Sequence, residues 1–332
     1  MRRAYMVFVQ WAYVMTLIPL VCSGQLLDVK LRATVSDEQG SPIREAQVIC
    51  CFSKPVDNKD PWKGQTIDKV QAVTDYNGKV IAKGTSMHEI TVVSRKEGYY
   101  ESRETLYNLK LNREKRQWSP YEREVKLVLR KIVNPIPMYA WGMHLTEYPE
   151  GTNVWVGYDM LLAEWMPPHG KGKTEDMRFH VLRSADAYDR TQPAVALTVR
   201  FMGEKNGVCG IDDKAVNYQS WSKLPYCAPR EGYSEKEFRF EKRIGENEFK
   251  TMTNTGTTNC FFRIRSKTDR DGNFVEGLYG KINGPVGVEG GRGIRIELFY
   301  YVNPTPNDLN MEFNPKKNLI NKEGVSMAVP MP

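Results

Sequence analysis

Four histidines, His88, His144, His169 and His180, are the side chains best suited to metal binding or proton transfer in this sequence, and their spacing assembles neither. No His-Glu-x-x-His set occurs. Asp176 and His180 are four residues apart, and on a strand that places them on one face but well over ten ångströms apart (about 3.3 Å per residue), too far to share a metal. Asp269-Arg270-Asp271-Gly272-Asn273 alternates oxygen donors as calcium loops do, but its glycine is fourth, where an EF-hand loop has it sixth. The strand-like flanks make a hairpin turn the better reading. Gly290-Gly291-Arg292-Gly293 has the composition of a phosphate cradle, yet a strand follows it, and phosphate binding needs a helix opening there. No Gly-x-Ser-x-Gly elbow is present. A triad draws on distant positions, so its absence is not proved by spacing. No catalytic residue, metal ligand or cofactor is therefore assigned.

The aromatic residues and cysteines offer more. Trp141, Trp155, Trp165 and Trp221, with Tyr226, Tyr233, Tyr300 and Tyr301, fall in or near the second half of the chain. Exposed Trp and Tyr stack on sugar rings while their polar edges hydrogen-bond; core filling is the alternative. Phe299 and Tyr301 share the face opposite Ile296 and Leu298, which predicts an aromatic strip. Trp221 sits in a loop-like stretch from Gly207 to Cys227. The candidate ligand-binding residues are thus Trp221, Tyr226, Phe299 and Tyr301. Cys209 and Cys227 flank that loop and form the best candidate disulfide, worth roughly 3 kcal/mol, against the alternative of two buried thiols. Cys50 and Cys51 point to opposite faces of a strand and make a poor pair. Arg263, Arg265 and Lys267 line one strand face, a pattern usual for solvated surface.

These groups rest on strands. Val29, Leu31, Ala33 and Val35 alternate with Lys30, Arg32 and Thr34, a half-buried strand. Ala46, Val48, Cys50 and Phe52 share a face, and Asp75-Tyr76-Asn77-Gly78 predicts a hairpin turn. Ile90–Val93 and Val125, Leu127, Leu129 add strands, seven or so within residues 28–131 and sandwich-like in number. Asn134-Pro135-Ile136-Pro137 favours extended backbone, and residues 132–153 read as a connector pinned by Tyr139 and Trp141. Residues 154–303 give a second set: Met177, Phe179, Val181; Val195, Leu197, Val199, Phe201; Phe238, Phe240, Ile244; and Ile294, Ile296, Leu298, Tyr300, Val302. No apolar stripe keeps a helical period for three turns. Residues 304–332, rich in proline, read as an irregular tail. The fold class is all-β: a seven-stranded sandwich followed by a larger β-sandwich or jelly roll.

Three spaced landmarks, Gly40-x-Pro42-Ile43-x-x-Ala46-x-Val48, Thr74-Asp75-x-x-Gly78 and Lys96-x-Gly98-Tyr99, resemble those of the carboxypeptidase regulatory-like, or transthyretin-like, family. The resemblance covers about a third of the chain. It implies an immunoglobulin-like sandwich in an exported protein rather than an activity. The enzymatic branch of the transthyretin fold depends on histidines and a C-terminal Tyr-Arg-Gly-Ser motif, and this stretch holds only His88 and no such tail.

Export is also expected from residues 1–24. Arg2 and Arg3 precede an apolar run from Tyr5 to Val21, with small residues at Cys22, Ser23 and Gly24, the order of a cleaved secretory signal; an uncleaved anchor is the alternative. Cleavage lowers the formal charge from +7 to +5 over a chain of 332 residues, too sparse for a dedicated nucleic-acid binder. The reading is an exported, periplasmic or surface protein that binds or scaffolds without catalysis, its partners carbohydrate or envelope proteins. Its rivals are a glycan or peptide hydrolase with its site in the second domain, and an architectural subunit of a surface assembly.

Overall fold

The computed structural model describes residues 26–57, 60, 63–107, 109–112, 114–143, 146–151, 153–183, 195–244, 249–253, 259–290, 293–322 and 329–332. The expected leader, His144, Gly291 and Arg292 lie outside the described residues. The chain divides into two compact units. The first holds the residues up to Val35 with Pro42–Ser94 and Glu104–Leu127; the second holds Ser36–Ser41, Arg95–Arg103 and Val128–Pro332.

Strict alternation builds the first strand, β1 (Leu27–Ser36), which buries Leu27, Val29, Leu31, Ala33 and Val35 and turns the intervening residues outward. It is followed by β2 (Gln47–Pro55), β3 (Gln65–Val73), β4 (Lys79–Ser86), β5 (Ile90–Arg95), β6 (Ser102–Leu106), β7 (Lys110–Asn112) and β8 (Gln117–Val128). These make two four-stranded sheets, β4-β1-β8-β7 and β3-β2-β5-β6. Leu31, Phe52, Ile90 and Leu127 are wholly buried among them. The arrangement is an immunoglobulin-like β-sandwich, of eight strands rather than seven.

The turn at Asn77-Gly78 is formed, but it does not close a hairpin. Asp75 Oδ1 accepts the N–H groups of Asn77 and Lys79, at 2.9 and 2.8 Å. Gly78 has φ +70°, and a Cβ there would lie 2.3 Å from the Val35 carbonyl oxygen. However, Thr74 N–H donates to Ala46 O at the end of the β2–β3 pair, whereas Val35 N–H of β1 donates to Gly78 O. The bend therefore carries the chain from one sheet to the other. Local turn chemistry sets the bend; which strands pair is set by what each edge can reach.

The second unit contains β9 (Ile136–Gly142), β10 (Thr146–Glu147), β11 (Trp155–Asp159), β12 (Glu164–Trp165), β13 (Met177–Arg183), β14 (Val195–Phe201), β15 (Gly207–Gly210), β16 (Glu237–Ile244), β17 (Phe249–Thr253), β18 (Cys260–Thr268), β19 (Phe274–Gly290), β20 (Ile294–Val302) and β21 (Phe313–Asn318). One sheet runs β15-β18-β19-β20-β9-β21, with β10 also on β20; the other runs β12-β11-β13-β14-β16-β17. Between them Phe179, Leu197, Val199, Phe262, Ile296 and Tyr300 form a sandwich core. Among the described residues no helix exceeds a single 3₁₀ turn at Asp213–Ala215, and none is long and apolar enough to cross a membrane.

Two segments do more than expected. The stretch read as a connector supplies β9, an interior strand with Met138 and Ala140 wholly buried. The stretch read as an irregular tail supplies β21, parallel to β9, and buries Met311 and Phe313. Proline disguised both: Pro137 and Pro315 lie inside strands, a composition that argues against regular pairing.

Candidate functional site: an arginine-centred cleft

The outer face of the β15–β21 sheet is not bare. A second apolar cluster, with Tyr301, Phe261, Tyr279, Leu224, Met311 and Phe313, lies against it, formed partly by the Ile211–Tyr233 stretch and the chain end. This cover overturns the predicted aromatic strip. Tyr301 is wholly buried, its ring 5.2 Å from Phe313 and its hydroxyl donating to Pro330 O at 2.5 Å. Phe299 is partly buried in the same cluster. Tyr226 is half-buried beneath the Arg130 guanidinium, 4.0 Å from its ring, and burial pushes its hydroxyl up to about 12. Of the four candidates only Trp221 is largely exposed, at 61%.

Cys209 and Cys227 are free thiols, half-buried and exposed respectively, so the disulfide expected between them is not formed. The Arg263–Lys267 run also departs from expectation. Lys267 is exposed and pairs with Glu276, but Arg263 is only 9% exposed. Arg265 takes φ +54° where β18 and β19 slip register and turns its guanidinium onto two buried carboxylates. It donates to Asp176 Oδ1 and Oδ2 at 2.9 and 3.0 Å and to Asp159 Oδ1 at 2.9 Å. Asp159 also accepts the N–H groups of Leu161, Leu162, Lys173 and Thr174. Burial pushes Asp159 up, yet these N–H groups and Arg265 bring it below the ordinary carboxylate value. Burial keeps Asp176 above it despite Arg265. Every group in this triad is engaged with another, which makes it a tie between β18 of one sheet and the β11 and β13 ends of the other.

Of the histidines, His180 stacks on Trp155, rings 4.7 Å apart, and its Nε2 lies 3.2 Å from Asn153 Oδ1. His169 faces Glu150 at 3.1 Å. Asp269 Oδ1 caps its own turn by accepting the N–H groups of Asp271 and Asn273. Among the described residues no group of three or more His, Cys, Asp and Glu is placed to hold a metal ion.

Arg263 marks an arrangement open to a ligand. Its Nε and Nη2 donate to Lys205 O at 2.8 and 2.6 Å, and Nη1 makes a longer contact of 3.4 Å to Arg230 O. The guanidinium carbon lies 4.2 Å from the Phe274 ring centre and 4.9 Å from that of Tyr233. Such contacts hold a cation on the electron-rich ring faces. Around it opens a cleft of about 640 Å³ lined by Arg230, Glu231, Gly232, Tyr233, Ser234, Arg263, Phe274, Val275, Tyr279 and Asn307.

Four segments shape the cleft. Arg263 comes from β18, and Phe274, Val275 and Tyr279 come from β19. The 230–234 loop leads into Glu235, whose carbonyl accepts Val208 N–H of β15 at 2.7 Å. Asn307, at φ +60°, locks the far wall: its Oδ1 accepts Gly277 N–H and its Nδ2 donates to Val275 O. The walls are thus held by backbone bonds, while Arg230, Glu231, Ser234 and Val275 stay exposed at the rim. The arrangement offers a charged and aromatic floor with a polar rim, suited to holding a small polar ring.

Sequence reasoning had singled out Tyr233 but missed Arg230, Glu231, Phe274 and Asn307. They come together from separate strands and turns, so no local spacing signals them.

No protein-family model and no curated protein matches the chain. Among solved structures it is similar to 3-chlorocatechol 1,2-dioxygenase from Rhodococcus opacus 1CP, at 14% identity over 32% of this chain and 61% of that one, TM-score 0.26. It is similar to a streptococcal ancillary pilin at 10% identity, over 68% of this chain and 58% of that one, TM-score 0.18. It is also similar to the major pilin SpaA of Corynebacterium diphtheriae at 8% identity, over 77% and 70%, TM-score 0.22. The chain spans less than two thirds of the dioxygenase it matches. Likenesses at these scores carry no argument about activity.

Proposed function

We propose that this is an exported, non-catalytic binding protein whose second unit holds carbohydrate in the Arg263 cleft. The observation that carries this reading is the guanidinium set between Phe274 and Tyr233 at the floor of a cleft of about 640 Å³, within the range of roughly 300–1,000 Å³ usual for small-ligand sites. Phe274 and Val275 offer apolar surface to a sugar ring, and Arg230, Glu231 and Ser234 offer polar groups to its hydroxyls. The leader-like residues 1–24 support export, and the three sequence landmarks support grouping the first unit with carboxypeptidase regulatory-like domains.

Glycan-array binding followed by calorimetry tests the reading. Arg230→Ala and Phe274→Ala should each weaken binding of an array hit by about tenfold or more, one to two kcal/mol, while Trp221→Ala leaves it unchanged. Absence of any hit, or binding lost only in Trp221→Ala, would remove the cleft from the proposal. The second reading, an architectural subunit, is favoured by the edge of β3.

A further inference from the structure

β3 ends its sheet: it pairs with β2 on one side, and no strand among the described residues pairs with its other edge. An uncovered edge of nine residues is a template for another strand, and natural proteins usually blunt it with proline, bulges or inward charges. This one has neither proline nor glycine; its two charges are Lys69 on the outward face and Asp68 on the inward one, and Asp68 is paired with Lys54 of β2. On its outward face Ile67 and Val73 are 54% and 60% exposed, large apolar side chains held in water. Its inward face is also incompletely covered. Asp68, Val70 and Ala72 remain half-buried, whereas the residues opposite them on β2, Phe52, Cys50 and Val48, are at most 1% exposed.

The spacing selects an occupant. Two identical antiparallel strands related by a two-fold axis through the sheet pair about one central residue, and side chains directly opposite lie on the same face. Centred on Lys69, the pairing would set Lys69 against Lys69 and Ile67 against Gln71. Centred on Gln71, it would set Val73 against Lys69 and Ile67 against Asp75. Centred on Val70, it sets Ile67 against Val73 twice, Lys69 against Gln71 twice, Asp68 against Ala72 twice and Val70 against itself. Pairings centred on Ile67 or Val73 would also set apolar against apolar, but each engages only one end of the strand. The Val70 register alone uses both exposed apolar residues, over residues 67–73, in apolar pairs without opposing like charges.

We propose that β3 is a self-association edge, through which two copies of this chain pair antiparallel about Val70 and extend the β3-β2-β5-β6 sheet into a continuous eight-stranded one. The partner that fits is a second copy, because the apolar and polar positions of residues 67–73 complement themselves.

Sedimentation of the purified chain over a range of micromolar concentrations tests this. A monomer–dimer equilibrium is expected, and the double variant Ile67→Lys/Val73→Lys should weaken it by at least about tenfold, since each lost apolar pair occurs twice. Both side chains are exposed in the single chain, so circular dichroism, and melting at concentrations where both proteins are monomeric, should be unchanged. Val70→Cys supplies an independent readout: mild oxidation should give a dimer linked from residue 70 to residue 70, identified by peptide mass. Lys69→Cys should give none, since diagonal positions lie too far apart for a disulfide. A wild-type chain that is monomeric at every concentration overturns the proposal. So does a dimer indifferent to the double variant, or one lacking the 70–70 link. If wild-type dimers form only with a different protein present, the edge serves another partner and the proposal also fails.

Discussion

Lys281 stands wholly buried on β19, and its amine has no hydrogen-bond partner among the described residues. Burial, reinforced by the Arg130 charge, holds it well below the usual lysine value against the pull of Glu312. The unfolded chain takes up that proton near pH 10.4. Between the folded and unfolded values the unfolded state therefore carries one more proton, and stability rises with pH by about 1.4 kcal/mol per unit. Lys281→Met should raise the neutral-pH urea midpoint and flatten this slope up to about pH 10; equal slopes in both proteins would refute the assignment. Thiol labelling tests a second environment. Burial pushes Cys50 and Cys260 up to about 12, so they should stay unlabelled in the native protein, whereas exposed Cys227 reacts. A Cys227 that labels only after reduction would restore the disulfide. At this scale the sequence was a partial guide. It exposed Trp221 correctly, yet Tyr301 and Arg263 looked like surface, because what covers them comes from loops with no period to read.

Among the elements, alternation made most strands legible: β1, β13 and β20 bury the residues their patterns name. β9 and β21 were hidden by prolines, and the Asn77-Gly78 bend was assigned the wrong strand partners because turn residues carry no information about distant edges. β21 is more than trim. Phe313 is 1% exposed beside Tyr301, and the adjacent Glu312 carboxylate, also buried, accepts Val133 N–H at 3.0 Å and the Tyr100 hydroxyl at 2.9 Å. Phe313→Ala should cost about 3–5 kcal/mol by the cavity it leaves. Chemical denaturation measures this, and a loss under about 1 kcal/mol would mean the strand is dispensable.

For the whole molecule, the boundary near residue 131 suits the sequence better than the structure. Ser36–Ser41 and Arg95–Arg103 belong to the second unit, so the backbone passes between units five times before β9 begins. Within that unit Arg130 donates to Ser222 O and Leu224 O at 2.9 and 2.7 Å, and Tyr100 meets Glu312. A fragment of residues 132–332 loses Arg130 and Tyr100 and should melt well below the full chain; equal midpoints would restore the simple boundary. The parallel β9–β21 pair carries a consequence for how the chain is made. As it leaves the ribosome, β9 emerges some 175 residues ahead of β21, and closing so long a loop is slow. One flank of that sheet must wait, unpaired, until β21 has been translated, leaving an interval in which a holding chaperone or a translocation channel has an unfinished substrate to grasp.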